Sequence, residues 1–441
     1  MAKVSTSLYK EGKAMVKEFD FLIIGAGAGG ATMANELAKR NKRVLVIEKG
    51  KRETKVGTFL DCLRYYDVTA LKMPLKSNEG VILWRTFMAG GSTFVSCANG
   101  VRCLEKELAD LGIILDEEFT EAERETHTAP IAERLLSDGS RTIMQSAREL
   151  GYNMEPMPKF IDPEKCKKCG LCAFGCPNDA KWTAVNYLDD AVQNGAAILY
   201  DSRVQQILTK NGKVRGVNVI GPTGSAEFTA GAVILSAGGL GTPVILQQTG
   251  IKEAGSGLFV DLFVNTYGVT QGLNQAHEPA MAVVNHDFHK SKGFILSPYI
   301  NPSKIIRAVE SGPKGASLPL NKLVGIMTKI TDEAVGRVYA DGAISKPVTA
   351  RDWSRLEEGA SIAKEILVKA GADKNSILIS KPQGAHPGGT AAIGKVVDKN
   401  LQTKIDGLFV CDASVLPTAP GLPPILTIIA MAKRLAKMLA H

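Results

Sequence analysis

The sequence predicts an α/β protein: a Rossmann-like dinucleotide-binding domain on a parallel sheet, a second α+β substrate lobe, and a small ferredoxin-like cysteine loop. Three stretches predict it. They are DFLIIGAGAGGATMANELAKRNKRVLVIEKG at 20–50, the second strand-plus-glycine turn VILSAGGLGTP at 233–243, and a return to strand and helix at 408–434.

The opening stretch reads as a βαβ unit. Residues 21–24 are a short apolar run of strand type, Gly25, Gly27 and Gly30 give GxGxxG, and a helix-compatible segment leads to a second strand at 44–47. The first glycine permits the tight turn. The second lets a pyrophosphate approach the backbone, and the third lets helix and strand pack closely with phosphates on the helix N-terminus. Glu48 ends the second strand, where a carboxylate can accept both hydroxyls of an adenosine ribose. That favours FAD or NAD over NADP, and the motif alone does not choose between the first two.

With 441 residues, 45% of them hydrophobic and 22% charged, the chain can bury a core of two or three packed units. The longest apolar candidate for a membrane span, 425–432, is stopped by Lys433 and Arg434. The first 19 residues carry lysines without the apolar core of a secretory signal, so a cytoplasmic location is expected. The net charge of +8 is spread over scattered lysines such as Lys10, Lys13, Lys17, Lys433 and Lys437, with no arginine-rich run of nucleic-acid type. A solvated basic surface is the favoured reading, and a docking face for an acidic electron carrier is the alternative.

The chain divides into an N-terminal extension at 1–19, a nucleotide-binding domain at 20–255, a substrate or cap lobe at 256–375, and a C-terminal return at 376–441. Ala89-Gly90-Gly91-Ser92-Thr93 is a glycine-hydroxyl turn suited to close approach of a ligand. Helices are expected within 104–150, including 141–150. Strands are expected at 198–200, 204–208, 214–220 and 232–236, an amphipathic helix at 355–370, a strand at 408–411 and a terminal helix from about 426. Residues 255–350 are less patterned.

The cysteine loop, at 160–182, contains Cys166-x-x-Cys169-x-x-Cys172-x-x-x-Cys176-Pro177. That is the spacing of bacterial ferredoxin cluster loops, and its small neighbours Gly170, Ala173 and Gly175 permit tight wrapping. A 4Fe-4S cluster is the favoured occupant, over structural zinc or free thiols. The fourth ligand is either Cys176 or one of the distant Cys62, Cys97, Cys103 and Cys411.

Together with HPGGT at 386–390 and LFVCDASVLPTAPGLPPILTIIAMAKR at 408–434, these pieces resemble the glucose-methanol-choline (GMC) family of FAD oxidoreductases. The cysteine run looks like one branch of that family, which includes some long-chain alcohol oxidases. The resemblance implies FAD, with Gly25, Gly27, Gly29, Gly30 and Glu48 holding its adenosine diphosphate. It also implies Gly90, Gly91, Ser92 and Thr93 along the flavin, further contacts from Val204, Ala237, Gly238 and Asp412, and His386 facing flavin N5. In the family's chemistry a base takes the hydroxyl proton of an alcohol while hydride leaves its carbon for N5.

One departure stands out. The family usually places an asparagine or histidine in the loop before the terminal helix, and Leu422-Pro423 occupies that place here. Either His277, His286, His289 or Asn274 supplies the second polar group, with an ordinary surface or packing role the favoured reading of each histidine, or the flavin chemistry is different; Cys97 is a lesser candidate for tethering the flavin covalently. The resulting reading is an FAD-dependent dehydrogenase of an alcohol whose electrons pass through a 4Fe-4S cluster to a carrier such as a ferredoxin or another subunit. Its rivals are a reductase of a carbonyl running the opposite way, an electron-transfer subunit of a larger complex, and an oxygen-using oxidase.

Overall fold

The strand Lys17–Ile24 lies at the middle of a seven-stranded sheet in the computed structural model, which describes residues 17–67 and 74–440. The expected N-terminal extension therefore lies outside the described residues except for its last three positions. On one side of this strand come Val44–Ile47 and Ala197–Leu199, all parallel. On the other comes Gly224–Leu235, whose final residues also pair in parallel with Leu408–Val410. Two antiparallel strands, Lys213–Gly221 and Arg203–Lys210, extend the sheet from the first half of Gly224–Leu235. The parallel strands are covered on both faces, as in the wholly buried Val44–Ile47, which is why their sequences are continuous apolar runs. This is the α/β architecture expected.

Helix Ala28–Lys39 packs on the sheet between helices Ala184–Gln193 and Ile425–Leu439. Its entry has no room for a side chain: a Cβ on Gly30 would lie 2.0 Å from the Gly25 carbonyl oxygen, and one on Gly29 would lie 1.9 Å from that of Cys411. The terminal helix is pinned electrostatically as well. Lys433, 1% exposed, reaches Glu36 at 2.7 Å and Glu125 at 2.8 Å, the latter on helix Asp116–Glu125. Lys433→Met would remove the buried ammonium between these carboxylates and leave Glu36 with Arg40 alone, at 2.6 Å, so a loss of about 3 kcal/mol in urea unfolding is expected.

The second lobe is built on a six-stranded sheet ordered Phe294–Pro298, Leu323–Ile330, Leu262–Val269, Gln383–Gly384 and Ile82–Leu83, with Leu378–Ile379 also pairing to Leu262–Val269. Helix Ala350–Lys369 covers its back, and helix Asp138–Glu149 packs on that helix. The stretch that looked unpatterned thus supplies the central strands of this sheet. Leu323–Ile330 is buried at every position, so no period-two alternation marks it in the sequence.

Candidate active site

The two sheets face one another across a cavity of about 720 Å³, within the size range of small-molecule sites. At one end is the first glycine turn. Gly25 has φ +100°, and a Cβ there would meet the Ser236 carbonyl oxygen at 2.3 Å, so the turn and the second glycine strand close on each other only with glycine present. At Gly27 a Cβ would meet nothing within 4 Å. Helix Ala28–Lys39 starts there with no side-chain cap and no acid in its first turn, which leaves its free N–H groups for an anion.

Glu48 lines the same cavity, buried, with one carboxylate oxygen accepting from Ala26 N–H at 2.8 Å and the other from Gly50 N–H at 2.7 Å. Burial pushes its carboxyl up from the ordinary value. Each oxygen retains a lone pair for a further donor. Gly29, Gly91, Ser92 and Thr93 line the cavity too, as do Val204, Ala237, Gly238 and Asp412. Gly30 and Gly90 stand behind the wall. Asp412 fixes the second glycine turn, accepting from Gly238 N–H at 2.8 Å and Thr242 Oγ1 at 2.6 Å through Oδ2.

His386 lines the same cavity. Its Nδ1 lies 2.9 Å from Asp261 Oδ2, and Asp261 Oδ1 accepts the Gly421 N–H at 2.9 Å. Asp261 had not been singled out in the sequence. Its carboxyl is buried and raised to about 7 by that burial, opposed by the nearby charge of Lys329, the Gly421 N–H and His289. Burial, and then the charge of Lys329, hold the His386 imidazole well below its usual value, which keeps the ring neutral. With Asp261 ionised, Nδ1 carries the ring proton and Nε2 keeps its lone pair. Among the described residues Nε2 has no hydrogen-bond partner.

None of the four polar candidates for completing the site lines this cavity. His289 Nε2 is engaged with the Pro420 carbonyl at 2.7 Å, and Asn274 Oδ1 accepts the Ala276 N–H at 2.7 Å. Asp261 and Lys329 stand in the cavity instead. The one sequence signal for either is a charged residue inside an apolar run, VDLFV and GIMTKI. Cys97 also lines the cavity, with its thiol pushed up by burial, which disfavours the thiolate.

The four cysteines of the loop surround a second, small cavity together with Ile161, Lys181 and Pro279. Cys176 is there beside Cys166, Cys169 and Cys172, while Cys62, Cys97, Cys103 and Cys411 are not. Ala180 N–H points to Cys176 Sγ at 3.3 Å. Among the described residues no three His, Cys, Asp or Glu side chains are gathered closely enough to hold a metal ion. The short turn Cys172–Phe174 separates the two cavities: Cys172 faces the small one, and Ala173 and Phe174 face the large one. The Lys181 ammonium braces the partition through the carbonyls of Phe94 at 2.7 Å, Ser96 at 2.8 Å and Cys172 at 3.0 Å.

Comparison with known proteins agrees with this geometry. Residues 23–53 match the NAD(P)-binding Rossmann-like domain, and residues 115–274 and 343–432 match the N- and C-terminal parts of GMC oxidoreductase. An uncharacterized protein of Methanocaldococcus jannaschii is 32% identical over 95% of this chain and 99% of its own length. An uncharacterized GMC-type oxidoreductase of Mycobacterium tuberculosis is 28% identical over 96% of this chain and 76% of its own. The crystal structure of pyridoxine 4-oxidase from Mesorbium loti superposes with a TM-score of 0.75 at 18% identity, covering 95% of this chain and 99% of that one, a likeness of fold. With two family matches bracketing both lobes and the glycine turn between the sheets, the chain belongs to the GMC oxidoreductase family and is an oxidoreductase.

Proposed function

We propose that this protein is an FAD-dependent oxidoreductase that oxidises the CH–OH group of an alcohol and passes the electrons through a 4Fe-4S cluster to an external carrier. The observation that carries the reading is the His386–Asp261 pair in the wall of the same cavity that the Gly25 turn closes. The residues fit FAD. An uncapped helix N-terminus beside the open face of Gly27 suits a pyrophosphate, and Glu48 keeps acceptor capacity for ribose hydroxyls. FAD when bound supplies a two-electron acceptor for hydride.

The chain's own residues handle the proton. His386 Nε2 accepts the hydroxyl proton of the alcohol, and Asp261 holds the ring in the tautomer that can do so and balances the imidazolium. Asp261 is thus a positioning residue. Its carboxyl, raised to about 7, is ionised only above that pH, so the rate of flavin reduction is expected to fall as the pH drops below about 7. Asp261→Asn should lower the rate and remove that pH dependence.

A ring of four cysteines around one small cavity, with Cys176 among them, supports a local cluster over one completed by a distant cysteine. The CxxCxxCxxxCP spacing is what favours iron and sulfide over a single zinc. Cys166, Cys169, Cys172 and Cys176 would hold the cluster, which, beyond the three-residue partition, would supply one-electron transfer to a carrier such as a ferredoxin or another subunit.

The test is an absorption spectrum of anaerobically purified protein with iron, zinc and flavin counted in the same sample. Flavin bands on a broad shoulder near about 400 nm, with about four irons per chain, are expected. Flavin without iron would remove the cluster, and iron without flavin would remove the dehydrogenase. Gly27→Val, which fills the open face of the turn, should weaken FAD binding by about tenfold or more in a flavin titration.

A further inference from the structure

The large cavity contains one charge that the proton transfer above does not use. Lys329 lies on Leu323–Ile330, opposite Phe263 on one neighbouring strand and Ile295 on the other. It is 3% exposed and lines the cavity that holds Asp261 and His386. Among the described residues its ammonium makes no hydrogen bond and no ion pair, while the Asp261 oxygens accept from Gly421 N–H and His386 Nδ1; burial lowers its pKa and the nearby charge of Asp261 opposes that.

The other buried lysines of this chain are different. Lys159 is held by the Cys97 and Ala280 carbonyls and Asn99, Lys181 by three carbonyls, Lys346 by Asp332, and Lys433 by Glu36 and Glu125. Where the fold buries an ammonium for structure, it gives that ammonium oxygen partners. An ammonium removed from bulk water without them lowers folding stability, and it gains most from a ligand that arrives already charged. Phe263, Met281 and Met327 line the same cavity and are available to the carbon skeleton of a small molecule, beside the polar Tyr299, Asn301, Glu310 and Gln383.

We propose that Lys329 is the substrate-recognition residue of this cavity and binds a carboxylate, so that the alcohol oxidised is a hydroxy acid. This rests on the alcohol-oxidising reading above. The hydroxyl goes to His386 and the carboxylate to Lys329. Lys329 sits opposite Phe263, two residues along from the Asp261 that holds His386, so the two functional groups lie near one another in the substrate. An ammonium there also supplies the second polar group that Leu422-Pro423 cannot.

The proposal is tested by calorimetric titration of glycolate and acetate into the FAD-loaded protein, with ethylene glycol as the neutral control. Wild type, Lys329→Met and Lys329→Arg are compared. Both carboxylates should bind wild type, Lys329→Met should weaken them by about tenfold or more, and Lys329→Arg should stay within a few-fold. Ethylene glycol should bind wild type and Lys329→Met alike. Thermal melting supplies the folding control: Lys329→Met should melt no lower than wild type, and the carboxylates should raise the midpoint of wild type alone of the two. Carboxylates that fail to bind wild type, or bind Lys329→Met equally, overturn the assignment. If the protein takes up no FAD, the same titration on the flavin-free chain still reads Lys329, and only the flavin reading fails. If glycolate binds through Lys329 but leaves the flavin oxidised, glycolate is a ligand only. Reduction by longer hydroxy acids then decides the substrate class, and reduction by none of them, with neutral alcohols active, overturns it.

Discussion

His386→Ala is expected to lower the rate of flavin reduction by the alcohol by about 10² to 10⁴, measured anaerobically by stopped-flow absorbance. Among the described residues His386 is the only imidazole in the wall of the large cavity, with Nε2 free and Nδ1 tied to Asp261. Its loss deletes the acceptor for the hydroxyl proton. The glycine turns and Glu48 are elsewhere in the cavity, so flavin content should stay at the wild-type level. A rate within about threefold of wild type would take His386 out of the mechanism.

Cys172→Ser should have the other large effect, on a different quantity. Iron should fall from about four per chain to a small residue, because one of four closely spaced thiolates is replaced by a poor iron ligand. Reduction of the flavin by the alcohol should persist in a single turnover, while steady-state transfer to a one-electron acceptor should collapse. Retained iron would move the ligand set to other cysteines, and iron-free wild-type protein would end the cluster reading. The pairing of the two variants separates the chemistry of the large cavity from the exit route for electrons.

The nucleotide half of the fold was legible because its physics is local. Gly25, Gly27 and Gly30 serve a turn that needs them within six residues, and the strands on either side are covered on both faces and therefore read as apolar runs. The same double coverage concealed the second sheet. Leu262–Val269 and Leu323–Ile330 are flanked by strands on both edges and by helix on one face, so nothing in their sequence alternates. Helix Ala350–Lys369 was visible from its apolar stripe, but it begins earlier than that stripe, at the Thr349–Asp352 capping box.

The site followed the same division. His386 could be found from its glycine-rich surroundings, whereas Asp261 and Lys329 could not, because their meaning depends on partners 125 residues away in the case of the His386–Asp261 pair. Long-range pairing has no sequence spacing to betray it. What remained visible was an anomaly, a lysine within GIMTKI and an aspartate within FVDLF, each a charge in a run otherwise fit for a core. The candidate histidines of the middle lobe show the converse: their residue type is suitable, but their places in the fold lie outside the cavity, in keeping with the ordinary role that is the favoured reading of each.

The threading of the nucleotide sheet has a consequence for synthesis. Lys17–Ile24 is made well before its neighbour Gly224–Leu235, and Leu408–Val410 and the Lys433 anchor follow later still. Until these emerge from the ribosome, that edge of Gly224–Leu235 stays unpaired and helix Ala28–Lys39 lacks its Ile425–Leu439 neighbour. Nascent chains are therefore expected to remain protease-sensitive and aggregation-prone until helix Ile425–Leu439 has emerged, and the nucleotide cavity is expected to load only after that point.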